Sequence, residues 1–100
     1  MRAIILLGCI AVVAFSCVNR ADVIAKGMEW VSEHVPYSQS EFHEGYRTEC
    51  AGFVSCAWKL SKPGITTEQF IHNKVCVKTT KDNLERGDLI LAPGNHVAIF

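Results

Sequence analysis

Apolar residues Val23, Ile24, Gly27, Met28, Val31 and Val35 recur at helical spacing, while Asp22, Lys26, Glu29 and Glu33 fall mainly on the opposite side. This period of 3.6 predicts an amphipathic helix over residues 21–35, ended by Pro36. Residues 37–47 mix Ser, Gln, Glu, His and Gly without a period, as expected of a surface loop. A second stripe, Cys50, Phe53, Val54, Ala57 and Leu60, predicts a helix over residues 49–60 with Thr48 as its N-cap. Lys59 and Lys62 suit its C-terminal end, and Pro63-Gly64 stops it. Thr66-Thr67-Glu68-Gln69 has capping-box spacing for a short helix through Phe70 and Ile71, and residues 74–78 alternate as an edge strand does. Gly87-Asp88 introduces the apolar run Leu89-Ile90-Leu91-Ala92, which Pro93-Gly94-Asn95 turns into residues 96–100: a hairpin of two strands. By period-two alternation His96 shares a face with Ala98 and Phe100, opposite Val97 and Ile99, and that face is expected to look onto the Cys50 helix.

The first residues do not fit this pattern. Arg2 precedes an unbroken apolar run over residues 3–15, and Ala14-Phe15-Ser16 has the small-x-small form that signal peptidase accepts. Residues 1–16 are therefore expected to be a cleaved secretory signal and residues 17–100 the mature domain. The run is short for a membrane span, and Ala14-Phe15 fits a lipid-attachment box before Cys17 poorly, so an uncleaved anchor and a lipoprotein signal are the lesser alternatives.

With 100 residues, 49% hydrophobic and no formal net charge, the rest suits one small domain with no bias toward nucleic acid or, once the signal is gone, toward membranes. It is expected to be monomeric and to need no cofactor. Cleavage leaves Cys17, Cys50, Cys56 and Cys76. In an oxidising compartment, with Cys50 free, a Cys56–Cys76 disulfide is the preferred pairing and Cys17 stays unpaired. A zinc site is not expected, because no C-x2-4-C pair is present.

Chemistry concentrates in two places. Cys50 falls in the first turn of the second helix, where unpaired N–H groups and the positive dipole end favour a thiolate. Glu49 beside it is a favourable charge for the helix, though one that opposes thiolate formation. His96 opens an apolar strand far downstream. A thiolate that attacks a carbonyl carbon and an imidazole that delivers a proton to the leaving amine are what a cysteine peptidase requires. Taken singly, Cys50 could equally be an inert buried thiol and His96 a satisfied strand-end histidine. His34, His43 and His72 read as solvated residues, and Trp30, Trp58 and Phe53 as core.

Taken together, Val35-Pro36-Tyr37, Tyr46-Arg47-Thr48-Glu49-Cys50-Ala51-Gly52-Phe53-Val54 and Glu85-Arg86-Gly87-Asp88-Leu89 followed by His96-Val97-Ala98-Ile99 resemble the NlpC-type papain-like cysteine peptidases. The resemblance covers roughly residues 22–100. It implies an α+β fold, helices packed on a small antiparallel sheet, with the family's last strands missing beyond Phe100. It further implies Cys50 as nucleophile, His96 as base, the Cys50 N–H as oxyanion donor, and Tyr37, Glu49 and Ala51 as substrate-binding positions. Where the family usually reads Asp-Cys-Ser-Gly this chain reads Glu49-Cys50-Ala51-Gly52, which alters the positions that bind a free amino end. The family's third, orienting polar residue lies on a strand after the histidine strand. The expected function is a secreted hydrolase of amide bonds in peptides such as those of bacterial cell walls. A non-catalytic secreted relative acting as a binding module, and a small disulfide-supported interaction module, are the alternatives.

Overall fold

The computed structural model of the chain describes residues 2–5, 19–92 and 94–100, the first four by backbone alone. Helix α1 (Arg20–Ser32) begins at Asn19, whose side-chain oxygen accepts the Asp22 N–H at 2.9 Å. It ends a turn before Pro36, because His34 takes a left-handed conformation (φ 55°) and the N–H groups of His34 and Val35 fold back onto the carbonyls of Val31 and Trp30. This is a Schellman closure made without glycine.

Val23, Gly27 and Trp30 are the buried stripe of α1. Met28 and Val31, from the same predicted apolar face, stay 58% and 60% exposed. The packed stripe is thus narrower than the apolar one.

The segment expected to be an irregular loop contains a hairpin, β2 (Phe42–His43) with β3 (Tyr46–Arg47), turned by Glu44 and Gly45 at φ 53° and 85°. Positive φ at both central residues matches the twist of the flanking strands. Helix α2 (Cys50–Ala57) follows directly, and it too closes on a left-handed residue, Lys59 (φ 57°), with Leu60 N–H bonded to Ser55 O at 2.8 Å. The Thr66–Gln69 pair makes the expected reciprocal bonds, Thr66 N–H to Gln69 Oε1 and Gln69 N–H to Thr66 Oγ1, at the entry to α3 (Gln69–His72).

Strands β1 (Arg2–Ile5), β4 (Val77–Lys78), β5 (Leu89–Ala92) and β6 (His96–Ile99) form one sheet in the order β4-β1-β5-β6. The β5–β6 hairpin is antiparallel, pairing Leu91 with Val97 and Ala92 with His96. In contrast to the antiparallel sheet expected, β1 runs parallel to both neighbours, pairing Ala3 with Leu89 and Arg2 with Val77. In the full chain the start of the expected signal is therefore a sheet strand; the cleavage motif Ala14-Phe15-Ser16, Cys17 and Pro93 lie outside the described residues. Among the described residues no helix is long and apolar enough to cross a membrane.

The main core joins Val23 of α1, Ala51, Val54 and Ala57 of α2, Phe70 of α3, and Leu89, Leu91 and Val97 of the sheet. Trp58 packs edge-on against Phe70 with centroids 6.0 Å apart, and its indole N–H donates to Gly87 O. Asp88, fully buried at the entrance to β5, is held by the Arg20 guanidinium at 2.6 Å and accepts the Glu85 N–H. A smaller cluster of Trp30, Tyr46 and Cys56 seats the hairpin on α1 and α2.

The expected Cys56–Cys76 disulfide is not formed. Cys50, Cys56 and Cys76 are all free thiols, and Cys56 and Cys76 sit in different clusters, one beside Trp30 and Tyr46, the other beside Phe70. Spacing along the chain carried no information on this separation.

Candidate active site

Cys50 is placed by a close backbone approach. The carbonyl of Arg47, at the end of β3, presses on α2 so tightly that a Cβ on Gly52 would come within 2.0 Å of Arg47 O. Only glycine fits there. Arg47 itself is fastened to the loop after α2: its N–H donates to Pro63 O, and its guanidinium to Gly64 O at 2.7 Å and Ile65 O at 2.9 Å. The sequence singled out Arg47 only as part of a motif; its crossing role rests on contacts 16 to 18 residues away in the chain, which no local pattern reports.

The N-cap of α2 is Glu49, not Thr48. The Glu49 side chain accepts the Gly52 N–H and pairs with Arg47 Nε at 3.2 Å. Thr48 is buried, and its hydroxyl donates to Ser38 O at 3.1 Å, tying down the strap that carries Tyr37. Cys50 is thus the first residue of α2. Its backbone N–H makes no hydrogen bond to any described residue, as is normal for a helix's first turn.

The three thiols differ sharply in environment. Cys50 is partly exposed, while Cys56 and Cys76 are 4% and 0% exposed. Burial pushes the Cys56 thiol up from its ordinary range and the Cys76 thiol up to about 11. Reactivity toward solutes therefore belongs to Cys50 among these three.

His96 reaches the same place from β6. Val97 and Ile99, rather than the His96 face, pack toward the core, and exposed His96 stands at the rim of a cavity of about 420 Å³ that Cys50 also lines. No hydrogen bond joins the two side chains. Cys50 also lines a cavity of about 220 Å³ bordered by Trp30, Val35, Tyr37, Thr48 and Glu49. Val31 and Phe53, like Cys50, line both cavities.

The expected substrate-binding positions divide. Tyr37, 67% exposed, and Glu49 border the smaller cavity. Ala51 does not face it: the residue is 1% exposed and its methyl packs in the main core.

His43, assigned no role from the sequence, meets the edge of Trp30 with centroids 5.0 Å apart and bonds Glu33 Oε1 at 3.1 Å. With Glu44 these groups bring three potential ligand atoms within 4.8 Å of one another. Lys26 already bonds Glu44 at 3.0 Å, which holds that carboxyl below its usual range. The network reads as a clasp between α1 and the hairpin. Trp30 Nε1 beside it is buried and has no partner of hydrogen-bond geometry among the described residues.

Comparisons with protein-family models, curated proteins and solved structures find no match to this chain. The NlpC-type resemblance rests on the three motifs alone.

Proposed function

We propose that the chain is a secreted cysteine hydrolase with a papain-like, NlpC-type fold, acting as a monomer on an amide bond in a peptide such as those of bacterial cell walls. The observation that carries this reading is the meeting of Cys50, the partly exposed thiol at the first position of α2, with His96 of β6 on the wall of one cavity. Neither nucleic acid nor a cofactor enters the scheme.

In the proposed reaction His96 takes the Cys50 proton as sulfur attacks the amide carbonyl carbon, forming a C–S bond and an oxyanion. The Cys50 N–H, without a partner among the described residues, donates to that oxyanion. The C–N bond then breaks as the imidazolium passes its proton to the leaving nitrogen. Water, deprotonated by His96, attacks the thioester; the C–S bond breaks, the thiol is regenerated and the acyl half leaves as a carboxylic acid.

Incubation of the purified protein with cell-wall peptides, read by mass spectrometry, tests the proposal. The expected result is cleavage by the wild type and none by Cys50→Ala. Cleavage that survives Cys50→Ala would overturn it. The lack of a Cys50–His96 hydrogen bond favours, as second reading, a non-catalytic relative that retains the groove; free enzymes do often hold such pairs apart until substrate binds.

A further inference from the structure

Two cavities share Cys50 in their walls. The smaller is bordered by Trp30, Val35 and Phe53 together with Tyr37, Thr48 and Glu49. The larger is walled by aliphatic and aromatic groups from α1, α2 and β6, among them Ile24, Met28, Phe53, Ile99 and Phe100. Apart from the Cys50 thiol, His96 is the lone residue with a polar side chain among the described residues of that wall. Met28 and Val31 leave more than half of their surface open around this one space, whereas Val23 of the same helix is buried. Open apolar side chains grouped around one concave space, rather than scattered singly, mark a place where something apolar binds.

From this we infer that the larger cavity is the leaving-group subsite, and that the substrate carries an aliphatic or aromatic substituent on the amine side of the scissile bond. The inference rests on the hydrolase reading above and deepens it. The direction follows from His96. Its proton must reach the leaving nitrogen, and it lines the larger cavity and not the smaller one. The amine half then extends along α1 and β6, and the acyl half lies toward Tyr37. Each methylene buried in such a site contributes roughly fourfold in affinity.

Two arms test the inference, one of which needs no turnover. In the first, site-resolved mass spectrometry measures alkylation of Cys50 by iodoacetamide and by N-hexyl iodoacetamide, each rate divided by that of a free small thiol. The expected result is at least a tenfold preference for the hexyl reagent. Met28→Ser and Phe100→Ser should each cut it fivefold or more while the iodoacetamide rate stays within twofold. Both residues are at least half exposed, so neither change empties the core. A preference no larger than that of the free thiol, or one unmoved by both variants, would overturn the inference and leave the nucleophile assignment standing. In the second arm, peptides identical on the acyl side present glycine, leucine or phenylalanine as the leaving residue. A kcat/KM at least tenfold higher for leucine or phenylalanine supports the apolar subsite, and a preference for glycine overturns it. Absence of cleavage of all three counts against the hydrolase reading, and the alkylation arm then decides the subsite.

Discussion

The carbonyl oxygen of Arg47 stands so close to Gly52 that a Cβ there would come within 2.0 Å of it, and Cys50 lies in the turn this contact fixes. The nucleophile candidate is aimed by backbone packing, two residues from the contact. Gly52→Ala is therefore expected to destabilise the fold by at least about 2 kcal/mol through overpacking. Gly27→Ala, whose Cβ would meet only the far end of the Phe53 ring at 3.3 Å, should be close to neutral. Urea unfolding of both variants provides the comparison; equal midpoints would contradict the crossing as the reason for Gly52.

Glu49 is expected to matter as a cap. Glu49→Ala should cost about 1 kcal/mol in urea unfolding, while Glu49→Gln, which keeps an acceptor for the Gly52 N–H, should cost less than half of that. With this carboxylate already shared between Gly52 and Arg47, and with Ala51 in the core, cleavage should depend weakly on a free substrate amino terminus. Free and N-acetylated peptides should differ less than about tenfold in kcat/KM, the worth of one hydrogen bond. A strong preference for the free amine would point to a second function for Glu49.

Much of this arrangement was legible in the chain. The period of α1, the α2 stripe, the Thr66–Gln69 capping box and the β5–β6 hairpin are local patterns, and each folds as its residues suggest. Helix ends were read less well, because His34 and Lys59 take the left-handed conformation that glycine usually supplies. The β2–β3 hairpin was missed because Glu44-Gly45 is a weaker turn signal than Asn-Gly. Relations between distant segments were not legible at all: the separation of Cys56 from Cys76, the anchoring of Arg47 on the loop after α2, and the inward turn of Ala51. Cys50 and His96 were put forward as a pair, but the sequence said nothing of the cavity whose wall they share.

Stability should fall in alkaline solution. Burial raises the Cys76 thiol from 9.0 to about 11, so between these values the folded state keeps a proton that the unfolded chain has released. The stabilisation is complete below about pH 9 and is lost as pH rises to about 11, an effect of about 2 to 3 kcal/mol from this group. Cys56 and Tyr46, also raised by burial, act in the same direction. Urea unfolding at pH 8.5 and pH 11 should show the loss, and Cys76→Ala should flatten it. A midpoint that does not move with pH would contradict the burial of these thiols.

Export should be visible in the mass of the chain. The apolar run and the Ala14-Phe15-Ser16 motif predict a mature form beginning at or within a few residues of Cys17. Such cleavage removes β1 and opens the position between β4 and β5. Intact-mass measurement of secreted protein checks this, and recovery of the full-length chain alone would mean that Arg2–Ile5 stays in the sheet.

The central claim is that Cys50 and His96 act as a pair. Its most direct measurement is the rate of iodoacetamide labelling at each cysteine near neutral pH, resolved by peptide mass, in the wild type and in His96→Ala. The account predicts that Cys50 labels at least tenfold faster than buried Cys56 and Cys76, and that His96→Ala slows Cys50 at least fivefold without changing the other two. Equal labelling of the three thiols, or a Cys50 rate that His96→Ala leaves untouched, would contradict it.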